Sequence, residues 1–381
     1  MSRTVILGAG FGGIAVATEL RRLLDDAHEV VLIDRHEEFS MGLRKLWELV
    51  GIGTIADGSR PRRLLGGDGV RFVPASVEAI DPVARTVRYG GSELDADFLV
   101  VALGAEPRPD LIPGMAEHAH DVWDRARVPE ARAALESFGG GRVAVVIAGA
   151  PYPCPPAPYE CAMLVDEWLR DRALRERTEL TVSTFQPILL PNAGREGSAW
   201  LGEQLAARGI DARTGRKVER FEPGRVVYAD GELEADLVFG VPPHRVPAVV
   251  GDSGLADDGH WIGVDPGTLA TRFSRVFAIG DVTQIALANG LPLPKAGVIA
   301  EREGVRVAAA IAAEVRGWEP AAPFDGHGHC FVEMGRSSAT VIEGAFFEAP
   351  EPLVQLREPS PENAEQKREF EAERLARWFG R

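Results

Sequence analysis

The sequence predicts an α/β fold: two parallel-sheet βαβ units, then a C-terminal hairpin and helix that close over the site. Three stretches predict it. "TVILGAGFGGIAVATELRRLL" joins an apolar strand to an amphipathic helix through a glycine turn, and "EVVLID" follows as the next strand. "GRVAVVIAGA" (141–150), "AMLVDEWLRDRALR" and "TELTVSTFQP" repeat the strand–helix–strand pattern. "FDGHGHCFVEMGRSSATVIEGAFF" alternates as an antiparallel strand pair ahead of a charged terminal helix. Strands that alternate with helical periodicity argue for parallel sheets covered on both faces.

In the first unit Gly8, Gly10 and Gly13 form GxGxxG in the strand–turn–helix setting of a Rossmann-like, dinucleotide-binding turn. Gly8 permits the tight turn, Gly10 lets a pyrophosphate approach the backbone, and Gly13 allows close helix–strand packing. The helix N-terminus adds N–H donors and partial positive charge. Asp34 closes the second strand, where a carboxylate binds ribose hydroxyls and disfavours a 2′-phosphate. Two later strands, "DFLVVALGAEPRP" ending at the Gly104 turn and "FSRVFAIGDVTQI" ending in Gly280-Asp281, resemble the strand ends of two-dinucleotide flavoproteins. That resemblance implies FAD, with Asp281 on the ribityl chain. The plainer reading of Asp281 is a helix N-cap before "VTQIALAN".

The second unit keeps its strand and helix but not its phosphate loop. "PYPCPPAPYEC" (151–161) replaces the glycines with Pro151, Pro153, Pro155, Pro156 and Pro158. Proline lacks an N–H and fixes φ, so no run of amides can cradle a pyrophosphate. Pro158 suits the first position of the following helix. Cys154 is held between prolines. Cys161 shares a helical face with Leu164, Val165 and Trp168, the spacing of a packed core residue. Cys330 is expected to begin a strand beside flexible glycines. His327, His329 and Cys330 suggest a metal, but no CxxC or second histidine pair completes a tetrahedral set, and no metal is expected.

Composition narrows the partners. A net charge of −15 over 381 residues argues against nucleic acid and against attraction to an anionic membrane. No signal peptide or membrane-spanning run is apparent, so a cytoplasmic location is expected, with at most weak peripheral contact on the inner face of a membrane. Three cysteines in a reducing compartment suit catalysis better than a structural framework.

The motifs "GAGFGG", "VVALGAEP", "PYPCPPAPYE", "AIGDVT", "LPLPKAG" and "FDGHGHCFVEMG" span nearly the whole chain. Together they resemble the sulfide:quinone oxidoreductase and flavocytochrome c sulfide dehydrogenase flavoproteins, within the pyridine nucleotide-disulfide oxidoreductase superfamily. The resemblance implies an FAD enzyme in which Cys154 and Cys330 form a redox pair beside the flavin. Hydrosulfide would attack the pair, and electrons would pass through FAD to a quinone or another acceptor. It also implies that Glu160 moves protons and that Lys295 faces the flavin ring. The plain alternatives are a first-turn carboxylate complementing the helix dipole for Glu160 and a surface lysine for Lys295.

Some features depart from that pattern. "MAEHAHDVWDRARV" lacks the third cysteine many members carry, although His118 and His120 lie there. The tail "ENAEQKREFEAERLARWFGR" is mostly charged, with Phe370, Leu375, Trp378 and Phe379 as a narrow apolar stripe suited to docking. The expected organisation is an FAD domain at 1–108 and 240–318, a cysteine-loop domain at 109–239 and a closing segment at 319–381. Two other functions stay open: an NAD(P)H-dependent flavin reductase like a type II NADH dehydrogenase, and a flavin-binding interaction protein without turnover. The oligomeric state, a homodimer included, is open as well.

Overall fold

The computed structural model describes residues 2–257, 260–335 and 337–380. A first parallel sheet runs in the spatial order Val276–Ala278, Phe98–Val101, Ser2–Leu7, His28–Asp34, Val70–Pro74. Its central strands are nearly continuous apolar runs because both faces are covered. Helix Phe11–Leu23 and helix Gly297–Arg316 pack together on one face. They meet where neither has a side chain, since a Cβ on Gly304 would lie 2.5 Å from the Gly12 carbonyl oxygen. The opposite face carries Ile80, Val87 and Tyr89 of a small antiparallel sheet.

The second parallel sheet interrupts the first in sequence. Its order is His120–Asp121, Leu237–Val241, Gly141–Ile147, Thr178–Thr184, Ile210–Arg213. The helix after the proline loop spans Ala157–Asp171, so it starts one residue before Pro158 and stops short of the expected "RALR". It ends because Ala173 adopts a left-handed φ of +54° and the Leu174 N–H returns to the Leu169 carbonyl at 2.9 Å.

In the C-terminal segment His327–Gly335 pairs antiparallel with Ser338–Ala345, and Leu353–Leu356 adds a third strand. Cys330 lies inside its strand rather than at the start, because pairing already begins at His327 opposite Ala345. Helix Pro361–Phe379 follows, with the Ser360 hydroxyl accepting from the Asn363 N–H. Its apolar stripe docks on the chain itself: the Trp378 ring stands edge-on to Phe11 and Phe39, with centroids 5.3 and 5.6 Å away. Among the described residues no helix is long and apolar enough to cross a membrane.

Candidate functional site

The nucleotide turn is built as its glycines require. Gly8 has φ +96°, and a Cβ there would lie 2.2 Å from the Ala102 carbonyl oxygen. A Cβ on Gly13 would come within 1.9 Å of the Gly8 oxygen. A Cβ on Gly10 would meet nothing within 4 Å, so the space in front of the helix is open. No side chain caps that helix, which leaves first-turn N–H groups for a ligand. Asp34 accepts from the Ala9 and His36 N–H groups, each at 2.8 Å, and pairs with Arg62 at 3.3 Å. Arg62 also donates to the Ala9 carbonyl oxygen and is a member of the turn that local pattern did not reveal. An open glycine, an uncapped helix start and a strand-end carboxylate fit the pyrophosphate and ribose of FAD.

Beside this turn lies a cavity of about 280 Å³. Cys154, Glu160 and Cys330 line it together with Lys45, Asp281 and Lys295. Gly104 and Gly280 turn the chain at the ends of adjacent strands, with φ of +69° and +71°. No helix follows Asp281: a short turn, Gly280–Val282, gives way to irregular chain, so its N-cap reading falls. Burial raises the Asp281 carboxyl. Lys295 is no surface lysine. It is 7% exposed, donates to the Asp281 and Thr283 carbonyl oxygens at 2.8 and 2.6 Å, and lies 3.9 Å from the Trp261 ring centre. Burial lowers its pKa to about 8, against the attraction of Asp281 and Glu303. Glu303, which accepts from the Gly280 N–H at 2.6 Å, is pushed by burial up to about 7.

All three cysteines are free thiols. Cys154 opens into the cavity and holds a left-handed φ of +57°, with its N–H on the Lys295 carbonyl oxygen at 2.7 Å and its own carbonyl accepting from Ala157. The loop therefore ties the Cys154 backbone directly to the irregular segment that carries Lys295. Burial first, then the Glu160 charge, raises Cys154 to about 11. Cys330 also faces the cavity and backs onto a small apolar void bounded by Pro155, Pro156 and Ile299. Burial and the Cys154 and Glu160 charges push its pKa up. Cys161 is fully buried in the core with Leu164, Val165 and Trp168, as its helical spacing requires.

Glu160 sits in the first turn of its helix, but a distant partner holds its charge. Lys367 Nζ lies 2.5 Å from Glu160 Oε1 and 2.8 Å from Glu333 Oε2. The Trp47 indole donates to Glu333 Oε2 at 2.6 Å, and the Glu333 N–H donates to Glu160 Oε2 at 3.2 Å. Burial raises Glu160 to about 7 despite the Lys367 attraction. Sequence reasoning missed Lys367 and Glu333. The helical phase carried a signal for the lysine, which stands three residues before buried Phe370 and three after buried Ala364.

His327 pairs with Asp325 at 3.3 Å, and His329 stands edge-on to Phe331 and Phe370. His120 belongs to the edge strand of the second sheet, and His118 ends a short helix. Among the described residues no group of His, Cys, Asp and Glu gathers as a metal set.

The profile of the family described as pyridine nucleotide-disulphide oxidoreductase matches residues 2–309. A sulfide-quinone reductase of Aquifex aeolicus is 28% identical over 82% of this chain and 76% of its own length. A type II NADH:quinone oxidoreductase of Staphylococcus aureus is 25% identical over 80% of this chain and 81% of its own. The X-ray structure of the A. aeolicus sulfide:quinone oxidoreductase superposes with a TM-score of 0.91 at 24% identity, covering 100% of this chain and 92% of that one. That likeness is one of fold.

Proposed function

Because the chain belongs to the pyridine nucleotide-disulphide oxidoreductase family, as an FAD-dependent oxidoreductase, we propose that it oxidises sulfide or a related sulfur species through Cys154 and Cys330. The carrying observation is that these two cysteines, far apart in sequence, line one cavity with Lys295 and Asp281 beside the nucleotide turn. In the oxidised enzyme the two thiols are joined. Hydrosulfide attacks Cys330 Sγ, a new S–S bond forms there, the bridge bond breaks, and Cys154 leaves as a thiolate. Cys154 takes that role because it opens to the lysine-lined cavity, whereas Cys330 backs onto apolar wall that favours a neutral persulfide.

Rejoining the two sulfurs through the added atom releases one proton and two electrons. Glu160 would take the proton, a role supported by its pKa of about 7 and its position in the cavity wall. FAD, when bound, supplies the two-electron acceptor, and a quinone or another acceptor reoxidises it. The buried Lys295 charge favours the anionic form of a reduced ring. The apolar stripe of the last helix is spent inside the molecule, so any contact with a membrane that delivers quinone lies elsewhere.

The test is anaerobic mixing of the FAD-loaded protein with sulfide or with NADH. Rapid bleaching of the flavin by sulfide alone supports the reading. Rapid bleaching by NADH alone would show an NAD(P)H reductase, and bleaching by neither an interaction protein without turnover.

A further inference from the structure

Resting on that reading, we propose that Lys45 is the cation that biases the Cys154 sulfur toward the thiolate once the bridge opens. Three lysines line the cavity: Lys45, Lys295 and Lys367. Two of them are already committed. Lys367 lies between Glu160 and Glu333, so its charge is more than cancelled when both carboxylates are ionised. Lys295 spends its ammonium on two carbonyl oxygens and faces the Trp261 ring. Lys45 donates to a single neutral acceptor, the Trp123 carbonyl oxygen at 2.7 Å.

Trp123 also fixes the lysine relative to the thiol. Its indole N–H donates to the Pro153 carbonyl oxygen at 3.0 Å, one residue before Cys154. One side chain therefore holds the proline loop while its backbone holds the ammonium. The surrounding charges agree with this assignment. Burial lowers the Lys45 pKa, and Asp121, Cys154, Asp124 and Asp281 oppose that shift from a distance, while the Asp121 carboxylate already accepts from the Trp123 and Asp124 N–H groups. Burial and then Glu160 oppose the Cys154 thiolate, while Lys367, then Lys45 and the Ala157 N–H favour it, and the Glu160 charge offsets the larger Lys367 effect. In a cavity where burial penalises a lone anion, the least committed cation decides the fraction of thiolate.

The experiment follows alkylation of Cys154 by iodoacetamide in FAD-loaded, thiol-reduced protein, read by mass spectrometry over about pH 6 to 10. Lys45→Met should slow alkylation near neutral pH by about tenfold, an upward pKa shift of about one unit, and Lys45→Arg should restore most of it. An unchanged profile in Lys45→Met would overturn the proposal. If Lys45→Met fails to fold, Lys45→Gln carries the same comparison: slower alkylation near neutral pH supports the assignment, and a profile unchanged from wild type overturns it. Alkylation does not need turnover, so a wild type inert to sulfide would refute the redox reading and leave this result standing.

Discussion

Lys367 Nζ and Glu160 Oε1 lie 2.5 Å apart across 207 positions of sequence, with both side chains at least 95% buried. The pair ties the last helix to the first turn of the proline-loop helix, and Glu333 and Trp47 extend it to two more elements. Desolvating so many charges gives little net stability, but removing one partner leaves the others uncompensated.

Lys367→Met is therefore expected to destabilise the protein by about 3–5 kcal/mol, because two carboxylates remain buried without a cation. Chemical denaturation measures it. Adding Glu160→Gln should recover part of the loss, and a double variant no better than the single would show that packing of the lysine stem, not charge, is what matters.

Stability should carry the mark of Glu303. Burial raises its carboxyl from 4.5 to about 7, so the folded protein binds more protons between those values. The associated stability is full below about pH 4.5 and is lost as pH rises through about 7. Glu303→Gln cannot ionise yet can still accept from the Gly280 N–H. Relative to wild type it should gain stability across that window, on the order of 3 kcal/mol, and then level off. A difference independent of pH would contradict the assigned shift.

Gly10→Ala separates binding from folding. Gly10 has φ −83° and open space where a Cβ would stand, so the free protein should keep its melting temperature. The methyl group would occupy the approach of the pyrophosphate, and FAD affinity should fall at least about tenfold. Gly13→Ala, which forces a Cβ to 1.9 Å from the Gly8 oxygen, should fail to fold. Fluorescence titration with FAD and thermal melts of the apo protein read both effects.

The parts legible in the sequence were those that local chemistry dictates. The glycine turn, the apolar strands and the core face holding Cys161 follow from periodicity and backbone sterics within a few residues. The end of the proline-loop helix was not legible, because a left-handed Ala173 ends it without a glycine or proline to mark the stop. The environment of Lys295 also escaped, since its burial depends on Trp261 and on a turn at Asp281 that only the tertiary fold brings close. Lys45 lies in a seven-residue helix, and nothing in its neighbours' pattern points toward Trp123.

The cysteines provide the sharpest prediction. Cys154→Ser and Cys330→Ser should each reduce sulfide-driven flavin bleaching to background while FAD stays bound, because exchange needs both an attacking thiolate and a leaving sulfur. Oxidised wild type should yield a Cys154–Cys330 peptide pair on non-reducing digestion, which requires their Cα atoms to come within roughly 4.4–6.8 Å. Cys161→Ser should leave the reaction intact and cost about 1–3 kcal/mol, since it places a hydroxyl in a core where the thiol is fully buried. Stopped-flow absorbance and denaturation curves together separate these outcomes. Bleaching that survives loss of both Cys154 and Cys330 would refute the dithiol mechanism. A pair linking Cys154 to Cys161 instead would keep the proline loop in its redox role and remove Cys330 from it.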